Sequence, residues 1–472
     1  MPALSLNSSI NPTIFKAYDV RGIVGDTLTV KVVSAIGRAV ASEAAALGQR
    51  AFVIGRDGRL SGPEFAAALA DGIRAAGLDV IDLGMVATPM VYFAAHALGT
   101  QCGVMVTGSH NPPEYNGLKM VVAGDAIHGE RIQALYRRIV DDDFASGAGK
   151  YSTHDIAAAY VARIVDDVKI DARLTGPMKI AVDCGNGVAG AFAPALYRKM
   201  GCEVTELFCE VDGRFPNHHP DPAHPENLQD LIRCLAETDA EIGLAFDGDG
   251  DRLGVVTKDV QIIFPDRQLM LFADDVLARH PGGQVIYDVK CTRNIAPWVT
   301  ERGGEPVMWK TGHSLIKAKL KETGAPLAGE MSGHIFFKDR WYGFDDGLYA
   351  GARLLEILSR RKAEGRDPSA VLNALPNSIS TPELQWKLAE GENFALIDRL
   401  QKNAKFQGAE RISMIDGLRV EYADGFGLAR ASNTTPVIVL RFEADSEDGL
   451  ARIQKDFRRV LQSVKADASL PF

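Results

Sequence analysis

Short apolar runs recur along the chain, and each gives way to a turn rich in Gly, Asp or Asn. Phe52-Val53-Ile54 leads into Gly55-Arg56-Asp57-Gly58-Arg59, then into a helical pattern over residues 63–76, then into a second run at Gly77-Leu78-Asp79-Val80-Ile81. Such a run bounded by turn residues predicts a buried strand, so the segment reads as strand, helix, strand. Residues 179–187 repeat the plan, with a helix running towards Met200 and a second strand at Cys202-Glu203-Val204-Thr205. A third copy starts at Val285-Ile286-Tyr287-Asp288 and ends at Gly304-Glu305-Pro306-Val307-Met308. Three βαβ-like units predict three related α/β domains, with ligands at the carboxyl ends of their strands.

Length agrees: 472 residues exceed a single core, and at ~100–200 residues per domain three or four are expected. The segment 141–149 reads as a polar, flexible linker, and Leu375-Pro376-Asn377-Ser378 interrupts the chain after the helical pattern of 347–363. Beyond about residue 376 the chain alternates apolar strands and closes on an amphipathic helix near 446–463, the pattern of a fourth, α+β domain. Gly185-Asn186-Gly187-Val188-Ala189-Gly190 satisfies a dinucleotide-binding spacing, with Glu206 about twenty residues on. The other two copies lack those glycines, so it reads as a tight strand-to-helix turn.

Composition narrows the partners. A net charge of −9 provides no basic field for nucleic acid or an anionic membrane, so basic residues that cluster serve a small anion. No apolar run approaches membrane-spanning length, and residues 1–6 lack the basic start and apolar core of a signal peptide, so a cytoplasmic protein is expected. Six scattered cysteines suggest neither a zinc site nor a disulfide framework and read as buried, reduced residues.

The candidate chemistry sits on loops. After Cys102-Gly103-Val104-Met105-Val106 comes Thr107-Gly108-Ser109-His110-Asn111-Pro112, which places Ser109 at a strand end among free backbone amides, where its hydroxyl can carry a phosphoryl group. The strand 241–246 delivers Asp247-Gly248-Asp249-Gly250-Asp251-Arg252. Three carboxylates at alternate positions repel one another unless a cation sits among them. A calcium EF-hand does not fit, because Arg252 stands at its glycine position and Lys258 at its twelfth; Mg²⁺ fits, with coordination left for a phosphoryl oxygen. Lys290, then Thr311-Gly312-His313-Ser314, then Gly329-Glu330-Met331-Ser332-Gly333-His334 offer donors and acceptors suited to a hydroxyl-rich ligand. Gly425-Phe426-Gly427-Leu428-Ala429-Arg430-Ala431-Ser432-Asn433-Thr434-Thr435-Pro436 sets a guanidinium beside hydroxyls, a carboxamide and amides, a phosphate-binding composition.

TGSHNP followed by Asn116-Gly117-Leu118-Lys119, DGDGDR, GEMSGH and RASNTTP, in that order, resemble the α-D-phosphohexomutases over nearly the whole chain, from Tyr18 to Arg441. GEMSGH resembles the bacterial bifunctional phosphomannomutase/phosphoglucomutase branch. The resemblance implies three related α/β domains with mixed sheets plus a C-terminal α+β domain around a central active-site cleft. It gives residues 1–154 the phosphoserine loop, 155–260 the metal loop, 261–375 the sugar-binding loop and 376–472 the phosphate-binding loop. It further implies a phosphoserine at Ser109 that exchanges its phosphoryl group with hexose 1- and 6-phosphates of glucose and mannose through a hexose 1,6-bisphosphate, with Mg²⁺ on Asp247, Asp249, Asp251 and the serine phosphate. Lys119 and His313 become candidates for acid and base, with His110, Arg21 and Arg252 near the phosphoserine. Tyr18, Lys290, Gly312, His313, Glu330, Ser332 and His334 would line the sugar site, Glu330 and Ser332 gripping O3 and O4. Arg430, Ser432, Asn433 and Thr434 would hold the phosphate that is not reacting. A monomer that binds small sugar phosphates is expected; a sugar-phosphate phosphatase or a non-catalytic sensor would use the same residues with other outcomes.

Overall fold

The computed structural model describes residues 10–170, 176–389, 391–433 and 435–472. The three predicted repeats share one strand order. In the first, Ala51–Arg56 runs parallel to Asp79–Met85 on one side and to Gly103–Val106 on the other, and Gly103–Val106 turns back into the antiparallel Tyr115–Val122. Lys179–Asp183 lies in the same way between Glu203–Leu207 and Ile242–Phe246, which turns back into Leu253–Thr257. Gln284–Asp288 lies between Glu305–Trp309 and Leu327–Gly329, which turns back into Ile335–Phe337. The returning strand makes each sheet mixed. Its turn falls at 107–114, 247–252 and 330–334, so the three loops singled out for chemistry are one topological position used three times.

One apolar core runs through all three units, from Val53 and Met90 through Leu244 and Phe246 to Val285 and Leu327, closed by Leu348, Leu354 and Leu358 of the helix Gly347–Ala363. The fourth unit is built differently. Its sheet is antiparallel around Val437–Ala444, backed by Glu392–Asn403 and Glu447–Val464, with a separate core that includes Trp386, Leu396, Phe442 and Phe457.

Segment 141–149 differs from the expected flexible linker. Its tail lies against the first unit: Gly147 and Gly149 donate to Ala75 and Arg74, and a Cβ at Gly149 would stand 1.8 Å from the Leu78 carbonyl oxygen. Strand Tyr151–Thr153 then joins the edge of the first sheet beside Asp79–Met85. Its glycines serve close backbone approach, which composition alone does not separate from flexibility. Among the described residues no helix is long and apolar enough to cross a membrane.

Candidate active site

Ser109 is 1% exposed and held at φ +50°, in the left-handed region that a serine rarely adopts. The hydroxyl donates to Asp247 Oδ2 at 3.1 Å and lies 3.3 Å from His110 Nδ1. Its amide donates to Thr107 Oγ1 at 2.8 Å, and Thr107 in turn donates to Asp57 Oδ2 at 2.7 Å. Backbone meets backbone here as well: a Cβ on Gly248 would stand 2.4 Å from the Ser109 carbonyl oxygen. The turns of the first and second repeats thus touch at Ser109 and the acidic loop.

Asp247, Asp249 and Asp251 are fully buried, with an oxygen from each within 4.8 Å of the others. Lys119, on the strand returning from the serine turn, donates to Asp249 Oδ2 at 2.7 Å and to Asp251 Oδ2 at 2.5 Å. Thr88, at the start of Thr88–Ala97, donates to Asp249 Oδ2 at 2.5 Å. Burial opposes ionisation of Asp249, but Lys119 and these hydrogen bonds outweigh it and hold the carboxyl below its usual range. Asp247 moves the other way, raised by burial and by Asp249 and Asp251. Burial also opposes the charge on Lys119, yet the facing carboxylates keep it firmly protonated. One lysine does not satisfy this donor set: among the described residues Asp249 Oδ1 and Asp251 Oδ1 are buried with no hydrogen-bond partner. Uncompensated carboxylate oxygens converging in this way fit a hard divalent cation.

A second ring of groups surrounds the first. Arg252 lies 3.8 Å from Asp247 and donates through Nε to His334 Nε2 at 3.1 Å. His334 Nδ1 faces Asp345 at 3.1 Å and Asp251 at 3.5 Å. His313 faces the same Asp345 at 3.8 Å, stacks edge-on with Tyr18 at 5.1 Å, and is kept neutral by burial and by Lys317. Burial, with Arg252, likewise depresses His110. Arg21 donates to Asn111 Oδ1 at 2.5 Å and to Asp19 at 2.6 Å, bringing its charge to the serine turn. Glu330 accepts from the Gly312 amide at 2.5 Å, and burial raises its pKa to about 7.

The remaining expected residues lie towards the fourth unit. Arg430 donates to Asp416 at 3.0 Å and acts electrostatically on Tyr18 and Lys290. Lys290, expected to meet the ligand, donates to Glu383 at 2.5 Å. Ser432 accepts from the Thr435 hydroxyl at 3.0 Å, Asn433 follows it half-buried, and Thr434 lies outside the described residues. Ser332 is half-buried on the turn between Glu330 and His334.

Several residues of this arrangement were not singled out from the sequence. Asp57 and Arg59 brace the serine turn, Thr88 holds Asp249, Asp345 backs both imidazoles, and Glu383 and Asp416 hold Lys290 and Arg430. Only Asp57 and Arg59 carried a local signal, two charges after an apolar run at a strand's carboxyl end. The other four sit in ordinary turns or helix starts and gain meaning only from tertiary contact.

Comparison with known proteins matches each of the four units. Residues 12–146, 158–260 and 264–379 match the phosphoglucomutase/phosphomannomutase alpha/beta/alpha domains I, II and III, and residues 383–460 match that family's C-terminal domain. The chain belongs to the phosphoglucomutase/phosphomannomutase family. A phosphoglucomutase of Neisseria meningitidis is 60% identical over 459 residues, covering 97% of this chain and 98% of the relative. A phosphomannomutase/phosphoglucomutase of Pseudomonas aeruginosa is 56% identical over 460 residues, covering 98% of each. The crystal structure of a phosphoglucomutase/phosphomannomutase family protein from Burkholderia thailandensis superposes with a TM-score of 0.92 at 64% identity, covering 98% of this chain and 100% of that one. Membership accounts for the repeated α/β units.

Proposed function

We propose that this protein interconverts hexose 1-phosphates and hexose 6-phosphates of glucose and mannose, with Ser109 as the phosphoryl carrier. The observation that carries the reading is the Ser109 hydroxyl 3.1 Å from Asp247, at the edge of three buried carboxylates. In the forward half-reaction the phosphate on Ser109 passes to the free hydroxyl of a hexose monophosphate; the serine oxygen to phosphorus bond breaks, a sugar oxygen to phosphorus bond forms, the sugar hydroxyl gives up its proton and the released serine oxygen takes one up, so that Ser109 ends as the free hydroxyl. The product is a hexose 1,6-bisphosphate. After the sugar turns end over end, the other phosphate returns to Ser109 and the isomeric monophosphate leaves.

The surroundings of the residues near Ser109 and the family resemblance together support the following roles. Asp247, Asp249 and Asp251, with the serine phosphate, would hold Mg²⁺, which when bound supplies positive charge at the transferring group. Lys119, Arg21 and Arg252 add fixed cationic charge around Ser109, and the buried setting lets that charge act with little screening. The proton of the attacking hydroxyl goes to the imidazole of His313, which faces Asp345 and is kept neutral by burial. Glu330 and Ser332 grip O3 and O4, which occupy equivalent places in both orientations, so glucose and mannose, differing at C2, are both accepted. Arg430, Ser432, Asn433 and Thr434 hold the idle phosphate. The division of labour follows residues 1–154, 155–260, 261–375 and 376–472, one loop from each.

The test is the carrier itself. Intact-peptide mass spectrometry of purified enzyme should find one phosphate, on Ser109. Ser109→Ala should remove detectable mutase turnover, a loss of at least about a thousandfold. Activity within tenfold of wild type would defeat the assignment, and release of inorganic phosphate from mannose 1-phosphate would point to a phosphatase.

A further inference from the structure

Arg59 spends its whole guanidinium on the turn that carries Ser109. Nη2 donates to the carbonyl oxygens of Ser109 at 2.8 Å and Asn111 at 2.5 Å. Nη1 donates to those of Pro112 at 2.6 Å and Tyr115 at 2.9 Å. Nε donates to Asp57 Oδ2 at 3.2 Å, so all five N–H groups are in use. The side chain is fully shielded from solvent, so its charge is not placed to meet a ligand directly. It fits flush against the turn, since a Cβ on Gly108 would come within 2.5 Å of Arg59 Cζ.

The second unit closes over this contact. Segment 211–220 descends from strand Glu203–Leu207 and lays the Phe215 ring 5.1 Å from the guanidinium. A Cβ on Gly213 would stand 2.6 Å from Arg59 Cα, and the Pro220 carbonyl accepts from the Gly248 amide at 3.1 Å. The same strap therefore touches the brace behind Ser109 and the acidic loop in front of it. Four carbonyl oxygens at fixed positions in one turn require a planar donor; an ammonium group has three donors at a point and cannot span them.

We propose that Arg59, clamped by Phe215, is the positioning residue that sets the Ser109 hydroxyl against the acidic loop. It acts through the serine turn and touches neither sugar nor phosphate. The kinetic part of this inference rests on Ser109 being the carrier, as proposed above; the geometric part does not.

Arg59→Lys keeps the charge and removes the fork, and Phe215→Leu keeps the fork and removes its clamp. Crystal structures of both variants, and kcat and KM with glucose 1-phosphate, form the test. Expected for Arg59→Lys is a Ser109 hydroxyl displaced by about 1 Å or more from Asp247, with kcat down about a hundredfold and KM within about threefold, because the sugar and idle-phosphate loops lie on other units. Phe215→Leu should lower kcat about fivefold with the same pattern, and it decides alone if Arg59→Lys does not fold. A serine turn superposing on wild type, or kcat above a third of wild type in Arg59→Lys, overturns the inference. So does a KM rise that accounts for the whole loss. If wild-type enzyme fails to turn over, the function proposed above falls, and the crystal structures still judge Arg59.

Discussion

Glu330 lies on the turn 330–334 and accepts from the Gly312 amide, and in the proposed function, where it grips the sugar, its behaviour with pH separates binding from chemistry. Burial raises its pKa from 4.5 to about 7, with Asp288 adding to the shift and His334 opposing it. Below about pH 7 it holds a proton and loses acceptor capacity; above, both oxygens can accept, one from Gly312 and the other from a sugar hydroxyl. Substrate affinity should therefore rise as pH climbs through 7. The phosphate of the substrate titrates near pH 6 as well, so the informative quantity is the ratio of kcat/KM between wild type and Glu330→Gln. That ratio should grow with pH across 6–8 to about tenfold or more, and a flat ratio would remove Glu330 from the sugar site. Stability moves in the opposite sense. Between pH 4.5 and about 7 the folded chain keeps a proton that the unfolded chain has released, so stability falls as pH rises through that window, and Glu330→Gln should flatten the slope.

Three equivalent turns on three equivalent sheets explain how one fold assembles a site from distant segments: each presents the loop after its third strand, and the shared core fixes the loops relative to one another. Their spacing is set by glycine. The acidic loop approaches the serine turn closely at Gly248, and Gly248→Ala would press a methyl group to 2.4 Å from the Ser109 carbonyl. The two turns must then part, which should lower kcat about tenfold to a hundredfold while the affinity for glucose 1-phosphate, assigned to the other two loops in the proposed function, stays near wild type; unchanged kcat would mean that the turns do not need this contact. The strand-helix-strand frames were legible because apolar runs and turn residues are local signals: Lys179–Asp183, Gln284–Asp288 and the helix Gly347–Ala363 all fall where the pattern puts them. The acidic loop was legible because charge repulsion is also local. Asp345 was not, since Asp346 beside it is an ordinary helix cap, accepting from the Tyr349 amide, and nothing in the sequence distinguishes the neighbour that faces two histidines. The pairing of Lys290 with Glu383 was not legible either, because Glu383 lies 93 residues away in another unit.

At the scale of the whole molecule the four units are not equally joined. The first three share a continuous apolar core, whereas the fourth meets the third through a small cluster of Val289, Phe426 and Leu428 and a set of polar contacts. Arg419 donates to the carbonyls of Val289 and Cys291 at 2.7 Å each, Arg441 to that of Lys290 at 2.6 Å, and Thr292 to Glu443 at 2.8 Å. Interfaces of this polar kind hold orientation but yield more readily than a shared core, because water can replace hydrogen bonds as it cannot replace apolar packing. Loop 425–433 belongs to that fourth unit, so in the function proposed above a ligand that reaches from Ser109 to Arg430 would tie the fourth unit to the first three. Hydrogen exchange read by mass spectrometry should accordingly find Leu418–Tyr422 and Val437–Ala444 exchanging through lower-energy openings than Ile242–Phe246. Glucose 1,6-bisphosphate should slow exchange in peptides covering 289–293 and 418–444 and leave 242–246 unaltered, because binding that needs the closed arrangement shifts the population towards it. Equal protection in all four units without ligand, or ligand protection confined to the first three, would mean that the fourth unit is fixed in place and that the phosphate clamp does not depend on closing it.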